Sequence, residues 1–542
     1  MNDLRDIKSY GHLKDILYDI EKEYNRLKKQ GLPKLDKSLA DIFYSTGSRQ
    51  EYENVYFLRR GRLLTTFVMC LMYGSEYMNE LTAVIEDICA ECTWALPAHI
   101  DRDNEKPECV IDLFNAETAQ ALSEICEILN DEVPKNLYIK IKKEIDRRII
   151  TPFLENTFFW EKASHNWAAV CAGSVGMTFI YMFPEKFSFV SKRIEDAMES
   201  YLSGFGDDGI TTEGMSYWNY GFRYFVNFAI LYKERYGVDL MNNDKVREIA
   251  KCQQNMMLRN DIPISFSDGS RSVVYNSGLA HLLRGIYGEE IKIINSKYNG
   301  MDNCYRFTEC IGTLKYIDEE LCTISEEQSG EQYFKDARWY VNRKNSFAFA
   351  IKAGHNGEPH NHNDTGSFII ATDRGQIICD YGAGEYTKDY FSDKRYTYLC
   401  NSSRGHSVPI IDGKYQSAGK KFFGTVVKAS NDIFEADIEN AYEIGALKSL
   451  KRRFEISENS LRLCDTFEFS DDNVHSITER FVSVIKPKLT DNGVEIGDIL
   501  IKSKKTPVIS SQRLMSHNAE EETLFFTDYN SDNKFEIEFL KI

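Results

Sequence analysis

Long apolar runs are missing from this 542-residue chain. No stretch approaches the roughly 18–20 apolar residues that a membrane-spanning helix requires, which excludes a transmembrane helix bundle. The opening residues Met1-Asn2-Asp3-Leu4-Arg5-Asp6 lack the charged-then-apolar pattern of a secretory signal, so the expected location is the cytoplasm. Positive charge is also scarce: 66 Lys and Arg stand against 83 Asp and Glu, a net charge of −17. A phosphate backbone needs a basic footprint, so nucleic acid is not an expected partner. An anionic sugar remains compatible if cations gather locally, and Lys388, Lys394, Arg395 and Arg404 offer such a group. Each of them reads equally well as solvated surface charge. No strict repeat is visible, so a sequence-regular solenoid is excluded. The 13 cysteines are odd in number and scattered through helix-like apolar segments, as reduced core residues are. Cys89 and Cys92 form a CxxC inside the helical pattern Leu81, Val84, Ile85, Ile88, and no second pair completes a zinc knuckle.

What is present has two periodicities. The hydrophobic share of 42% and the charged share of 27% are ordinary for a globular protein, and the length implies two or three domains. Up to about residue 325 the spacing is helical: Ala119, Leu122, Ile125, Cys126 and Leu129 form one face, and Leu137, Ile141, Ile145 and Ile149 another. Further helices are predicted near 50–73, 78–93, 166–183, 186–203, 219–235, 243–257 and 276–288, an array of stacked helical hairpins. From Ala337 onward, short Val-, Ile-, Phe- and Tyr-rich runs predict strands at Arg338–Arg343, Ser346–Lys352, Gly366–Thr372, Gln376–Tyr381, Phe422–Lys428, Leu461–Phe469, Ser476–Val484 and Lys534–Leu540. Their spacing fits a large antiparallel sandwich. The acidic stretch Ser325–Gln332 is the expected boundary, giving an α+β chain with domains 1–325 and 326–542.

Candidate chemistry lies in both halves. Gly354–Asp364 holds three of the ten histidines and almost nothing to bury, so it is a polar loop between two strands. His362, Asp380 and His406 are two imidazoles and a carboxylate on successive strand ends or loops, a donor set suited to Zn²⁺ or to a hydrogen-bonded network. In the helical half, Ser164-His165-Asn166-Trp167 opens a helix whose Ala172, Gly173, Ser174 and Gly176 permit close packing. The loop Asp207-Asp208-Gly209 leads through Glu213-Gly214 to Tyr217-Trp218-Asn219-Tyr220-Gly221. Aromatics at this spacing are usually core, but Tyr217 and Tyr220 beside Glu213 and Asn219 equally suit a sugar-binding cleft. Trp94-Ala95-Leu96-Pro97-Ala98-His99 is either a helix stop or a substrate contact.

Together these motifs resemble the heparinase II/III-like polysaccharide lyases. The likeness rests on Trp94–His99, His165-Asn166-Trp167, Asp208-Gly209, Glu213-Gly214, Tyr217–Gly221, Arg338–Arg343, His360–Phe368, Asp380-Tyr381-Gly382, Gly405-His406-Ser407 and Asp412-Gly413, running from about residue 90 to 415 in the family's order. It implies an incomplete (α/α) toroid followed by an antiparallel β-sandwich, with an active site in the cleft between them. The implied activity is β-elimination on a uronic acid within an acidic oligo- or polysaccharide. Asn166 matches the neutraliser of the uronate carboxylate, with His165 able to share that role. Tyr220 matches the catalytic tyrosine, with Tyr217 its rival, and His360 matches the catalytic histidine. The likeness also suggests Trp94, His99, Glu213, Trp218 and Arg404 as substrate contacts. It implies a structural zinc on His362, Asp380 and His406, and no organic cofactor; oligomeric state stays open. Competing readings are a glycoside hydrolase using Asp207 or Asp208 with Glu213, and a non-catalytic glycan-binding protein. The letters around His360 suggest an HNH-type nuclease, which the acidic balance disfavours.

Overall fold

The computed structural model describes residues 1–273, 275–294, 301–517 and 520–542. The chain is α+β, an incomplete helical toroid followed by an antiparallel β-sandwich. It divides into two compact units: the first comprises Met1–Phe205, Trp218–Lys251 and Val274–Ser325, the second Gly206–Tyr217, Cys252–Val273 and Glu326–Ile542. Two segments read from sequence as part of the helical half, Gly206–Tyr217 and Cys252–Val273, therefore pack in the second unit. This matters for the site, because they carry Glu213, Tyr217 and Asp268.

The first unit is built from amphipathic helices. Leu113–Leu129 is capped by Asp112, whose carboxylate accepts from Asn115 N. It packs against Asn166–Met182, a helix buried on nearly every side. The small residues explain how: a Cβ on Gly173 would lie 2.9 Å from Tyr224 O, and one on Gly176 would lie 2.6 Å from the Phe228 ring. Larger side chains there would push away the helix carrying Tyr224 and Phe228. The predicted helix 243–257 is interrupted. Asp244–Ala250 and Cys252–Met256 are helical, and the chain then pairs Met257–Arg259 with Ile262–Pro263. Asn260 supplies the turn with φ +39°.

The second unit contains a five-stranded sheet in chain order: Gly330–Phe334, Trp339–Arg343, Ala348–Lys352, Phe368–Thr372 and Gly375–Ile378. An eight-stranded sheet, containing Leu447–Ile456, Ser460–Phe469 and Lys534–Lys541, packs on it. Phe349 and Phe368 of the first sheet each meet Phe454 of the second at 4.9 Å between ring centroids. Burying each such ring contributes about 1.5–3 kcal/mol. The predicted strand Phe422–Lys428 is split at Gly424 into Gly419–Phe423 and Thr425–Ser430. Gly424 N donates to Gly354 O at 3.0 Å, and a Cβ there would come within 2.9 Å of Thr365. The break thus holds both ends of the histidine loop.

Candidate active site

The loop from Ala353 to Ser367 is tied to its surroundings by buried polar groups. Thr365 Oγ1 donates to Asn356 Oδ1 at 2.9 Å, Gln416 Nε2 to Thr365 O at 2.7 Å, and Asn363 N to Asn401 O at 2.9 Å. His360 stands within this frame in the left-handed region, φ +53°. That conformation is unfavourable for a non-glycine residue and persists where the surroundings over-determine it.

The centre of the arrangement is Asp268, which the sequence reading did not single out. His360 Nδ1 donates to Asp268 Oδ2 at 2.9 Å, and His362 Nε2 donates to Oδ1 at 3.0 Å. Tyr390 donates its hydroxyl to Oδ1 at 2.6 Å, and Arg395 Nη2 reaches both oxygens at 3.0 Å. Burial opposes ionisation of Asp268, but the hydrogen bonds from both histidines and the Arg395 charge outweigh it, holding the carboxyl well below its ordinary range. A local signal existed in the polar run Ser265-Phe266-Ser267-Asp268-Gly269-Ser270, which reads only as a turn. Ser267 at φ +60° and the close approach of Gly382 to Gly269 O, where a Cβ would stand 1.8 Å away, aim this turn at the loop. Gly382, at φ +78°, also has a backbone conformation that favours glycine.

Tyr217 lies against His360, with ring centroids 4.2 Å apart and 26° between planes. Its hydroxyl is 2.5 Å from that of Tyr386, a second residue not anticipated. Burial, then the negative charge of Asp268, pushes the Tyr217 phenol above its ordinary value despite the hydrogen bond with Tyr386 and the Arg395 charge. It is therefore a neutral O–H, suited to donating a proton. His360, bonded through Nδ1 to a carboxylate, is oriented to offer Nε2 as an acceptor. Glu213 is 7% exposed, and burial pushes its carboxyl up to about 7 against the charge of His360.

Behind the loop, His362, Asp364, Asp380 and His406 place one donor atom each within 4.8 Å of one another, all buried. The predicted trio is thus brought together, with Asp364 added. His362 Nε2 is spent on Asp268, and His406 Nε2 donates to Cys400 O at 2.7 Å. Both rings therefore turn Nδ1 inward, 3.9 Å and 3.3 Å from Asp380 oxygens. Neither Nδ1 forms a well-formed hydrogen bond among the described residues. Lys352 Nζ already stands 2.8 Å from Asp364, while the two inward imidazole nitrogens face Asp380, where a proton or a cation would satisfy them. The outward N–H groups tied to acceptors are the usual support of metal-binding imidazoles. This set fits a divalent metal.

The remaining expected residues have surroundings of their own within their units. Tyr220 belongs to the first unit, where Arg306 lies 4.0 Å over its ring and Glu117 is a close neighbour. Trp94 and Trp218 are corrections: they are 0% and 1% exposed, and their indoles donate to Ile88 O and Ile249 O. Their size and committed N–H groups make them core residues rather than substrate contacts. Arg404 Nη2 donates to Thr397 O at 2.7 Å, and Arg395 is the arginine that pairs with Asp268. In the first unit, His99 Nδ1 donates to Asp112 at 2.7 Å, and its ring meets Trp167 at 4.8 Å. Asn166 opens its helix beside His165, and a Cβ on Gly221 would stand 3.1 Å from Asn166 Cα. Asp208 accepts from Asp336 N at 2.8 Å and Ala337 N at 3.2 Å. That commits one of its oxygens to a turn.

Residues 327–534 match the family model described as Heparinase II/III-like, C-terminal. Among solved structures, a heparinase III matches at 12% identity with a TM-score of 0.64, covering 92% of this chain and 78% of its own. A heparan sulfate lyase from Pedobacter heparinus matches at 12% identity and TM-score 0.59, covering 96% and 87%. A chondroitin AC lyase from Streptomyces coelicolor A3, solved with chondroitin sulphate, matches at 9% identity and TM-score 0.53, covering 96% and 79%. Curated proteins provide no match at a significant level. At these identities the structural likeness concerns the fold, and the family match concerns residues 327–534. Residues 327–534 thus resemble a heparinase II/III-like C-terminal domain, and the whole chain shares the fold of these polysaccharide lyases. The resemblance read from the sequence is borne out.

Proposed function

We propose that this chain is a glycosaminoglycan lyase that eliminates O4 from a uronate residue and leaves a C4–C5 double bond. The Tyr217–His360 pair anchored by Asp268 carries the proposal. The C5 proton of a uronate is too weakly acidic to leave unaided, so the neighbouring carboxylate must first be neutralised to accept charge as an enolate. In the resemblance read from the sequence that role belongs to Asn166, an uncharged amide donor, with His165 assisting. His360 Nε2 takes the C5 proton and the Tyr217 hydroxyl protonates the departing O4. This divides a task between two residues: a phenol raised above its ordinary value stays protonated at neutral pH, so it holds a proton for the strongly basic departing O4 and offers no phenolate to take one from C5.

The cluster His362, Asp364, Asp380 and His406 is assigned Zn²⁺, for which imidazole nitrogen and carboxylate oxygen are customary donors. When bound, the ion supplies positive charge that pins the loop bearing His360. The substrate class rests on the heparan sulfate and chondroitin sulphate named for the structural neighbours. A glycoside hydrolase reading is disfavoured because Asp208, one of its candidate carboxylates, is engaged by the backbone of Asp336 and Ala337.

The test is purified protein against heparan sulfate, chondroitin sulfate, hyaluronan and alginate, followed by ultraviolet absorbance of the new double bond. Absorbance growing with chain scission is the expected result. Reducing ends without that absorbance would identify a hydrolase, and binding without turnover would identify a glycan-binding protein.

A further inference from the structure

Position 452 faces the sandwich core. Along Leu447–Ile456 burial alternates, and Leu450, Phe454 and Ile456 point inward as an antiparallel strand dictates. Arg452 occupies the same face and is 0% exposed. Its five N–H groups are all engaged. Nε and Nη2 hold Asp465, the residue directly opposite on the neighbouring strand, at 2.9 Å and 2.6 Å. Nη2 also donates to Glu479 at 2.9 Å. Nη1 donates to two backbone carbonyls, Gly366 O at 2.9 Å and Ser407 O at 2.8 Å.

Those carbonyls are not arbitrary. Gly366 lies two residues after Asp364, and Ser407 immediately follows His406. Arg452 thus joins the two backbone stretches that bring opposite members of the buried His/Asp cluster together. Gly366 is held close: at φ +87°, a Cβ would stand 2.7 Å from Ile438 Cδ1. On the other stretch, Ser407 Oγ accepts from Val482 N at 3.1 Å. Burial pushes the Glu479 carboxyl well above its ordinary value.

A buried ionic triad of this kind is a weak source of stability, since apolar replacements of similar volume are often neutral or stabilising. What an apolar residue cannot supply is a planar donor spanning two carbonyls. Lysine cannot supply it either, being a point charge without the fork.

We infer that Arg452 is a positioning residue for the His362–Asp364–Asp380–His406 centre, with Asp465 and Glu479 holding its guanidinium in register. The inference rests on the metal assignment proposed above. Arg452 touches no ligand side chain and acts through the backbone carbonyls of Gly366 and Ser407.

The experiment compares Zn²⁺ affinity, by competition with a chromophoric chelator, and melting temperature in four proteins. These are the wild type, Arg452→Lys, the apolar triple variant Arg452→Met/Asp465→Leu/Glu479→Leu, and His362→Ala. Expected is Zn²⁺ binding roughly 10–100-fold weaker in a folded Arg452 variant, the size typical of a lost supporting contact. His362→Ala should bind still more weakly. A folded variant that binds Zn²⁺ as tightly as the wild type overturns the inference and leaves the metal assignment standing. A wild type that binds no Zn²⁺ overturns the metal assignment and this inference with it. Loss of fold in both Arg452 variants also overturns it, because a role in folding alone accounts for that result.

Discussion

Tyr217 lies flat against His360, with 4.2 Å between ring centroids. The contact joins a neutral phenol to an imidazole whose Nδ1 is fixed by Asp268. An acid and a base in van der Waals contact can serve the two ends of one elimination, because the proton leaves C5 and arrives at the adjacent O4. This contact is what supports Tyr217 as the proposed acid.

Tyr217→Phe should remove the donor while retaining the stacking. Turnover on the active glycan is expected to fall about 10²–10⁴-fold with substrate affinity largely kept. Tyr220→Phe should retain most of the turnover. Initial rates from double-bond absorbance, with binding by calorimetry, check both; a silent Tyr217→Phe would sink the assignment.

Asp268→Asn should be more damaging than its single lost charge suggests. It leaves Arg395 without its carboxylate, and disrupting such a largely buried pair costs about 3 kcal/mol. It also releases His360 and His362 together. Chemical denaturation should show the stability loss, and rates should fall by at least the Tyr217→Phe factor. A variant with normal rates would show that Asp268 does not orient the base.

The raised carboxyl of Glu213, at about 7, makes a signed pH prediction. In the unfolded chain the group ionises near 4.5, so between about 4.5 and 7 the folded state holds more protons. Its contribution to stability must then fall as pH rises through that window and stay low above it. The full penalty is on the order of 3 kcal/mol. Glu213→Gln should flatten this part of the profile and gain most at pH 8. Denaturation midpoints across pH 4 to 8 test this, and parallel wild-type and variant profiles would refute it.

Removing metal should loosen the second unit. Dialysis against a chelator is expected to lower its melting temperature by about 10 °C, and added Zn²⁺ should restore it. His362→Ala and His406→Ala should start low and not respond. An unchanged wild-type melt would leave the buried cluster as a hydrogen-bonded network.

Much of this was legible in the residues themselves. Helical spacing such as Leu137, Ile141, Ile145 and the short β-rich runs after Ala337 are local, and the corresponding helices and strands form. His362, Asp380 and His406 were also legible as a set, since each follows a strand or lies in a polar loop. Asp268 was not, because a Ser-Asp-Gly turn has the same letters whether it faces solvent or a histidine loop.

The chain by itself determined the order of helix and strand, the loop bearing His360 and His362, and the chemistry available there. Periodicity and turn residues act over a few positions, so they can be read along the chain. Tertiary structure alone decided which tyrosine meets His360: Tyr217 and Tyr220 are one helical turn apart, and only their surroundings differ. It likewise placed Arg395 rather than Arg404 beside Asp268, and it turned Arg452 inward between Gly366 and Ser407. Those contacts join segments tens to more than a hundred residues apart, where the deciding term is the environment that burial creates.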